Sequence, residues 1–285
     1  MYKFLLPIPT TACELLSEMI DSIRYGLYPT LLAMWFNPSL WGIHRAEVRA
    51  QISRTFFYHV WKGMAEKIDE LHRQSKLSLI RRRAFGVVLE IGPGLGHTLR
   101  YLDPRLVTLY IACEPNKAMH PAIRSEARKA GFSGQQCVIF PNKANELGPL
   151  ISSGHSNLIP GSVDTMISVL SFCSIFEPDQ AGIEYNHWSR DQKEISQVIT
   201  RLLKRKTGKL LFLELVPNTH SSFIRVWQRW WSPIRALYFG GSRLDVPSLQ
   251  ILSILGRWSS IKAWPSPIDL PDTPFPHQAA ELVHN

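Results

Sequence analysis

Cysteine is scarce in this chain of 285 residues, and its spacing does not suggest a metal site. The cysteines lie far apart and form no Cys-x-x-Cys pair, at positions Cys13, Cys113, Cys137 and Cys173. This spacing excludes the common zinc motifs and provides no disulfide framework. We therefore expect no bound metal and a reducing, cytoplasmic environment.

Charge is also limited. Charged residues make up 19% of the chain, and the net charge is +9. The basic residues are dispersed, apart from the triplets Arg81 to Arg83 and Lys204 to Lys206, and no aromatic-interleaved basic motif is present. Nucleic acid is therefore not an expected partner. A solvated basic surface is the preferred interpretation, with contact to anionic lipid as the second.

The chain has little that resembles a targeting or membrane-spanning segment. Met1 to Thr10 lacks a continuous apolar run and a clear cleavage site, which argues against a secretory signal. Tyr25 to Ile43 carries no formal charge over nineteen residues, close to a bilayer span, but Pro29, Asn37 and Pro38 interrupt it. Packed helices covering a substrate site are preferred here, and attachment at a membrane interface is the alternative.

Hydrophobic residues make up 45% of the chain, which excludes general disorder. The length suits one large core, or a domain of about 200 residues with an extension. The apolar positions of Thr55 to Lys76 recur with helical spacing. We predict a helical N-terminal extension over residues 1–80 that covers the substrate, followed by a main domain over residues 81–285.

The main domain begins with Val-Val-Leu-Glu-Ile-Gly-Pro-Gly-Leu-Gly, from Val87 to Gly96. The aliphatic residues predict a strand, and the glycines at alternate positions predict a sharp turn that a ligand can approach closely. His97 to Tyr101 is then expected to start a helix. The glycine spacing differs from the G-x-G-x-x-G that holds a pyrophosphate.

Two carboxylates indicate which ligand this turn would accept. Glu90 precedes the first glycine by two residues and would repel a pyrophosphate, whereas it suits the ammonium group of S-adenosylmethionine (SAM). A second apolar strand, Leu109 to Cys113, ends in Glu114, eighteen residues after Gly96. An acidic residue there can accept both hydroxyls of a ribose.

With these two motifs, Glu90 to Gly96 and Glu114-Pro-Asn, the sequence resembles the class I SAM-dependent methyltransferases. The resemblance covers Val87 to Val216 best. It implies an α/β, Rossmann-like sheet of seven strands with helices on both faces. It also implies SAM as cofactor. The residues that the resemblance places around SAM are Glu90, Gly92, Gly94, Gly96, Glu114, Pro115, Asn142, Ala144 and Leu170.

Within the class, the chain looks closest to the small thiol and ubiquinone-type methyltransferases. Cys173-Ser-Ile and Leu213-Glu-Leu-Val216 are similar to their Cys-Ser-Val and Glu-His-Val. Two positions depart from the pattern. Leu215 replaces the histidine, and Asn142 or Lys143 replaces the usual acidic residue of the adenine loop.

The acceptor is expected to be a small, apolar molecule, of the type found in secondary metabolism, methylated at oxygen, sulfur or carbon. Two apolar segments are not needed for the core of the predicted sheet: Tyr25 to Trp41 and Phe223 to Tyr238. We predict that both pack beside the cofactor pocket. The predicted substrate contacts are Trp35, Cys173, Trp227 and Trp231.

No spacing singles out a catalytic base, and methyl transfer can proceed through alignment alone. The candidates, each more often structural than catalytic, are His97, His187, His220 and Glu214. A second hypothesis keeps SAM but assigns a pericyclic or isomerising step without methyl transfer. A third, a non-enzymatic partner subunit, is disfavoured because Glu90 and Glu114 are both intact.

Overall fold

The computed structural model describes residues 10–148, 158–176 and 189–285. At its centre is a seven-stranded sheet in the order β3-β2-β1-β4-β5-β7-β6. The parallel strands are β1 (Gly86–Ile91), β2 (Val107–Cys113), β3 (Cys137–Phe140), β4 (Thr165–Val169) and β5 (Lys209–Leu215). A final hairpin, β6 (Trp258–Pro265) and β7 (His277–His284), adds two antiparallel strands beside β5. The predicted Rossmann-like sheet is confirmed.

The helices precede the sheet or connect its strands. Those before β1 are α1 (Thr10–Phe36), α2 (Ala46–Leu71) and α3 (Arg73–Ile80). Those that follow are α4 (His120–Lys129), α5 (Phe172–Ile175), α6 (Arg190–Leu202), α7 (Ser222–Tyr238) and α8 (Ser248–Leu255). The predicted helix after the glycine turn is only a 3-10 turn, His97–Tyr101. Pro104 follows closely, and the residue before a proline avoids helical geometry.

Two apolar cores cover the two faces of the sheet. Because side chains alternate along a strand, Val88 and Leu89 enter opposite cores. One core holds α3 and α4, and the other holds α6 and α8. Both faces of the parallel strands are thus buried, as an α/β sheet requires.

The uncharged stretch from Tyr25 to Ile43 is not a single helix. α1 continues through Pro29 and ends at Phe36, and a 3-10 turn follows at Pro38–Leu40. α1 packs along α2 and also contacts α7. Among the described residues, no helix combines the length and the apolar character needed to cross a bilayer.

α1 and α7 bury several small and polar residues and leave most of their large apolar side chains exposed. The buried side of α7 carries Gln228, Ser232 and Arg235, and that of α1 carries Ser22 and Thr30. The large apolar side chains of both helices point outward, among them Tyr28, Leu31, Trp35, Phe36, Val226, Trp230 and Leu237. The exposed fraction reaches 75% for Trp35, 76% for Trp230 and 84% for Leu237. Both segments were predicted to pack beside the cofactor pocket, and most of their apolar surface faces outward.

Candidate functional site

A cavity of about 570 Å³ opens at the carboxyl ends of the parallel strands. Its floor includes Gly92 after β1, Glu114 after β2, and Leu170 and Ser171 after β4. Open α/β sheets bind their ligands at this edge, because the strand ends diverge there and leave a crevice. The cavity is also large enough for a nucleoside-sized ligand with a small second molecule.

The two glycines of the turn that line the cavity, Gly92 and Gly94, pack closely against neighbouring side chains. Gly92 and Gly94 have positive φ angles of 64° and 57°, which side chains adopt only with strain. A Cβ atom on Gly92 would lie 2.5 Å from the Ser171 Oγ, and one on Gly94 would lie 2.6 Å from the Trp61 Nε1. Both positions therefore require glycine, whose backbone adopts these angles without strain and whose lack of a Cβ leaves Ser171 and Trp61 in place.

Leu170, at the exit of β4, also holds a left-handed backbone, with φ of 55°. This conformation costs free energy for any residue other than glycine, and it usually persists only where contacts with the surrounding structure fix it. Its N–H donates to the Leu213 carbonyl at 2.8 Å, which fixes the strand exit against β5. Leu170 thereby faces the cavity at the position where the resemblance expects a cofactor contact.

Glu114 faces the cavity with hydrogen-bonding capacity to spare. Its two oxygens accept the N–H groups of Gly94 at 3.0 Å and Asn116 at 2.8 Å. Each carboxylate oxygen can accept a further hydrogen bond, so two ligand hydroxyls can be held. Burial raises the pKa of Glu114 to about 7, and the nearby charge of Glu90 adds to this shift.

Glu90 lies deeper, beside a small cavity of about 30 Å³ that also contacts Gly92 and Leu170. The Tyr110 hydroxyl donates to its Oε2 at 2.5 Å, whereas its Oε1 is buried without a hydrogen-bond partner in the described part of the chain. Burial raises the pKa of Glu90 to about 7. A buried oxygen with no donor is costly, and a cationic ligand group would satisfy it.

The other predicted cofactor residues divide into those at the cavity and those away from it. Pro115 and Ala144 line it, together with Lys143 and Asn145. Asn142 does not, and its amide donates to the Glu146 Oε2 at 3.3 Å. Gly96 is likewise outside the lining and precedes the 3-10 turn.

Of the predicted substrate contacts, only Cys173 lines the cavity. Trp227 and Trp231 are half-buried in an apolar cluster with Leu15 and Leu215, and Trp35 faces outward. The cover over the cavity comes mainly from α2 and not from Tyr25 to Trp41. The α2 side chains that form it are Phe57, Trp61, Met64, Ile68 and Leu71.

The candidate bases are not gathered at the cavity. His97 lies beside the small cavity, and burial lowers its pKa. His220 is exposed. His187 lies outside the described residues. Glu214 is fully buried and accepts four hydrogen bonds, from the Ser168 hydroxyl and from the N–H groups of Ser171, Phe172 and Cys173.

Sequence reasoning did not find three polar groups that line the cavity: a buried ion pair between α1 and α7, and the imidazoles of His72 and His277. In the ion pair, the Arg235 guanidinium donates to both oxygens of Glu18, at 2.8 to 3.1 Å, and also to the Ser242 hydroxyl. These residues lie in four separate parts of the sequence and share no motif. Only the tertiary fold brings them to one cavity.

The architecture settles the fold. The protein has the fold of the class I SAM-dependent methyltransferases. One similar structure is a SAM-dependent methyltransferase from Leishmania major, 16% identical over 81% of each chain, with a TM-score of 0.52. Another is a provisionally assigned O-methyltransferase from Nostoc punctiforme, 12% identical over 92% of this chain and 71% of that one, with a TM-score of 0.56.

A third, phosphoethanolamine N-methyltransferase 2 from Haemonchus contortus, was solved with S-adenosylhomocysteine. It is 12% identical over 74% of this chain and 53% of that chain, with a TM-score of 0.50. No protein-family model matches the sequence, and no curated protein matches it. At sequence identities this low, similar structures establish the fold and do not establish the activity.

Proposed function

We propose that the protein binds SAM and transfers its methyl group to a small, apolar acceptor at an oxygen, sulfur or carbon atom. The observation that carries this proposal is the position of Glu90 and Glu114 at the carboxyl ends of adjacent parallel strands, each lining a cavity that the glycine turn also lines. Glu114 would hold the ribose hydroxyls, and Glu90 would face the ammonium group. When bound, SAM supplies an electrophilic methyl group on a sulfonium.

The protein's own part in such a reaction is alignment and exclusion of water. Apolar side chains of α2 cover the cavity, and Cys173, Leu215 and Phe275 line it near the exit of β4 and β5. An acceptor held there would meet the methyl group in a dry environment, and alignment of this kind is worth up to about 7–11 kcal/mol. An acceptor of the size and polarity found in secondary metabolism suits this lining.

Calorimetry with SAM and S-adenosylhomocysteine tests the binding step, and formation of S-adenosylhomocysteine with candidate acceptors tests the transfer. Absence of binding to the folded protein would refute the proposal. Binding of SAM with conversion of an apolar substrate but no S-adenosylhomocysteine would instead support the pericyclic or isomerising alternative.

We further propose that the protein is an intracellular enzyme that attaches peripherally to membranes through α1 and α7. The two helices contact each other, and both turn their apolar side chains, including Trp35, Trp230 and Leu237, to the outside. Large exposed apolar patches of this kind indicate an interaction surface. The exposed Arg24 and Arg229 on the same helices, with a net charge of +9, favour an anionic lipid surface as the partner.

Sedimentation with vesicles tests this attachment. Wild-type protein should sediment with phosphatidylcholine vesicles that contain phosphatidylserine, and Trp35→Asp with Leu237→Asp should weaken binding at least about tenfold, because each aspartate would enter the interface charged. Leu106→Asp changes an exposed leucine of the β1–β2 connection and serves as the control. Wild-type protein that stays in solution at low salt contradicts the proposal, and resistance to both salt and carbonate would indicate a true anchor.

A further inference from the structure

Two histidines that are distant in sequence meet on the wall of the main cavity. His72 directly follows α2, and His277 is the first residue of β7. Their ring centroids are 4.1 Å apart at an interplanar angle of 61°. Both rings line the cavity, with exposed fractions of only 1% for His72 and 9% for His277.

Asp269 determines which nitrogen of His277 carries the proton. Its Oδ1 lies 3.1 Å from the His277 Nδ1, and its Oδ2 accepts the backbone N–H of the same residue. A carboxylate can only accept, so the Nδ1 of neutral His277 carries the hydrogen. The Nε2 is then left with its lone pair, which is the arrangement of a positioned general base.

His72 remains neutral and leaves His277 as the proton acceptor of the pair. Burial lowers the pKa of His72 to about 2, with smaller contributions from His277 and from Lys76 of α3. Lys76 is itself paired with Asp69 of α2 at 2.6 Å. Asp269 is the charged group in direct contact with His277, at 3.1 Å between its Oδ1 and the His277 Nδ1.

The position of His277 in the sheet brings it to the carboxyl end of β5, on the wall of the cavity. In the antiparallel ladder between β5 and β7 it pairs with Leu215, the residue that stands where the resembled enzymes carry histidine. β5 in turn pairs with β4, whose exit residue Leu170 lines the same cavity. An imidazole thus reaches this end of the sheet from the next strand.

Resting on the proposed methyl transfer, we propose that His277 is the general base for the acceptor and that Asp269 is its positioning residue. The acceptor is then an apolar molecule with an ionisable O–H or S–H group. The X–H bond breaks and its proton moves to the His277 Nε2, while an electron pair on X bonds to the methyl carbon. The carbon–sulfonium bond breaks, its electron pair stays on sulfur, and the imidazolium releases its proton to water.

The test uses 1-octanethiol and 4-octylphenol as acceptors, with S-adenosylhomocysteine as the measured product. His277→Gln should lower kcat at pH 7 by about 10²-fold or more, with little change in KM or in SAM affinity, because general bases contribute about 10²–10⁴-fold. The loss should shrink as the pH approaches the pKa of the acceptor, because an ionised acceptor needs no base. Asp269→Asn should lower kcat about tenfold, and His220→Gln, which changes an exposed histidine away from the cavity, should leave it unchanged.

A His277→Gln variant that binds SAM and keeps the wild-type kcat and pH profile overturns the inference. Nitrogen-15 NMR of the wild-type imidazoles gives an answer that does not depend on turnover. The Nδ1–H tautomer of His277 supports the inference, and the Nε2–H tautomer overturns it. If the wild-type protein binds no SAM, the proposed function fails, and the tautomer still decides the arrangement of His277 and Asp269.

Discussion

Glu114 and Glu214 occupy similar positions but differ in how many hydrogen bonds their carboxylates accept. This difference distinguishes a carboxylate that can bind a ligand from one that is structural. Each is a buried carboxylate at the carboxyl end of a parallel strand, β2 for Glu114 and β5 for Glu214. Glu214 accepts four hydrogen bonds, three of which hold the first turn of α5, while the fourth comes from Ser168 of β4. Glu114 accepts only two and faces the cavity. Hydrogen-bonding capacity left unused at a cavity, and not burial alone, indicates which acid awaits a ligand.

The largest effect should come from Glu214→Ala, because it leaves three buried N–H groups without an acceptor. At about 1–3 kcal/mol for each of the three orphaned donors, we expect the free energy of unfolding to fall by about 3–9 kcal/mol. Urea denaturation measures this loss. Glu70→Ala removes a glutamate from an exposed ion pair, so it should cost no more than about 1 kcal/mol. If both variants lost the same free energy of unfolding, the structural role assigned to Glu214 would be wrong.

The raised pKa of Glu114 should make the free energy of unfolding depend on pH. Its pKa is raised by burial to about 7 in the folded state, so the folded protein keeps a proton that the unfolded chain loses above about pH 4.5. The free energy of unfolding should therefore fall as the pH rises from about 5 to 7.5, by about 3 kcal/mol for this group.

Glu114→Gln removes this titration and is the reference for the measurement. The difference between wild-type and variant unfolding free energies cancels the contribution of other groups, including His72, whose lowered pKa acts in the opposite direction below about pH 6.5. Denaturation curves at the two pH values give the difference. A value independent of pH would show that Glu114 is ionised throughout.

The loss of SAM binding free energy in Glu114→Ala should be smaller than the loss of unfolding free energy in Glu214→Ala. Glu114→Ala removes the acceptor for the ribose hydroxyls, so we expect SAM affinity to fall by about 1.5–3 kcal/mol, the range for hydrogen bonds to a charged group. Isothermal calorimetry measures it, and Glu146→Ala, at an exposed glutamate of the neighbouring loop, is the control. An unchanged affinity for SAM would show that Glu114 does not bind the ribose hydroxyls.

The smallest expected effect is the pH dependence of SAM binding. Burial raises the pKa values of Glu90 and Glu114 to about 7, whereas a cationic ligand with hydroxyl donors requires them ionised. Affinity should therefore rise about tenfold between pH 5.5 and 7 for each carboxylate that must lose a proton, or about 1.4 kcal/mol. Calorimetry in buffers of different ionisation enthalpy would detect the released protons, and affinity that falls over this range would contradict the assignment.

The part of the site that could be predicted from sequence is the part that is local. The glycine turn and the two acidic strand ends depend on a few neighbouring residues, and Gly92, Gly94, Glu90 and Glu114 lie where they were expected. The strands β1 and β2 likewise follow from short apolar runs that end at these residues.

The rest of the site could not be predicted because it depends on contacts that span the chain. His72 and His277 are separated by about 200 residues, and no pattern around either one indicates that they meet. In α1 and α7, the sequence identified apolar segments but not the direction in which their side chains face. The prediction that the tryptophans line the substrate pocket failed for all three: Trp35 faces outward, and Trp227 and Trp231 pack in an apolar cluster outside the cavity lining.

The ion pair of Glu18 and Arg235 links this outward-facing surface to the interior. It joins α1 to α7 inside the cavity wall, with the guanidinium also stacked 4.2 Å from the Phe239 ring centroid. A displacement of α1 by one helical turn, about 5.4 Å, would break every contact in the pair and leave a buried cation unpaired, at a cost of about 3–5 kcal/mol. The ion pair therefore opposes sliding of α1 along α7, and a shift of either helix would change the part of the cavity wall that Glu18 and Arg235 form.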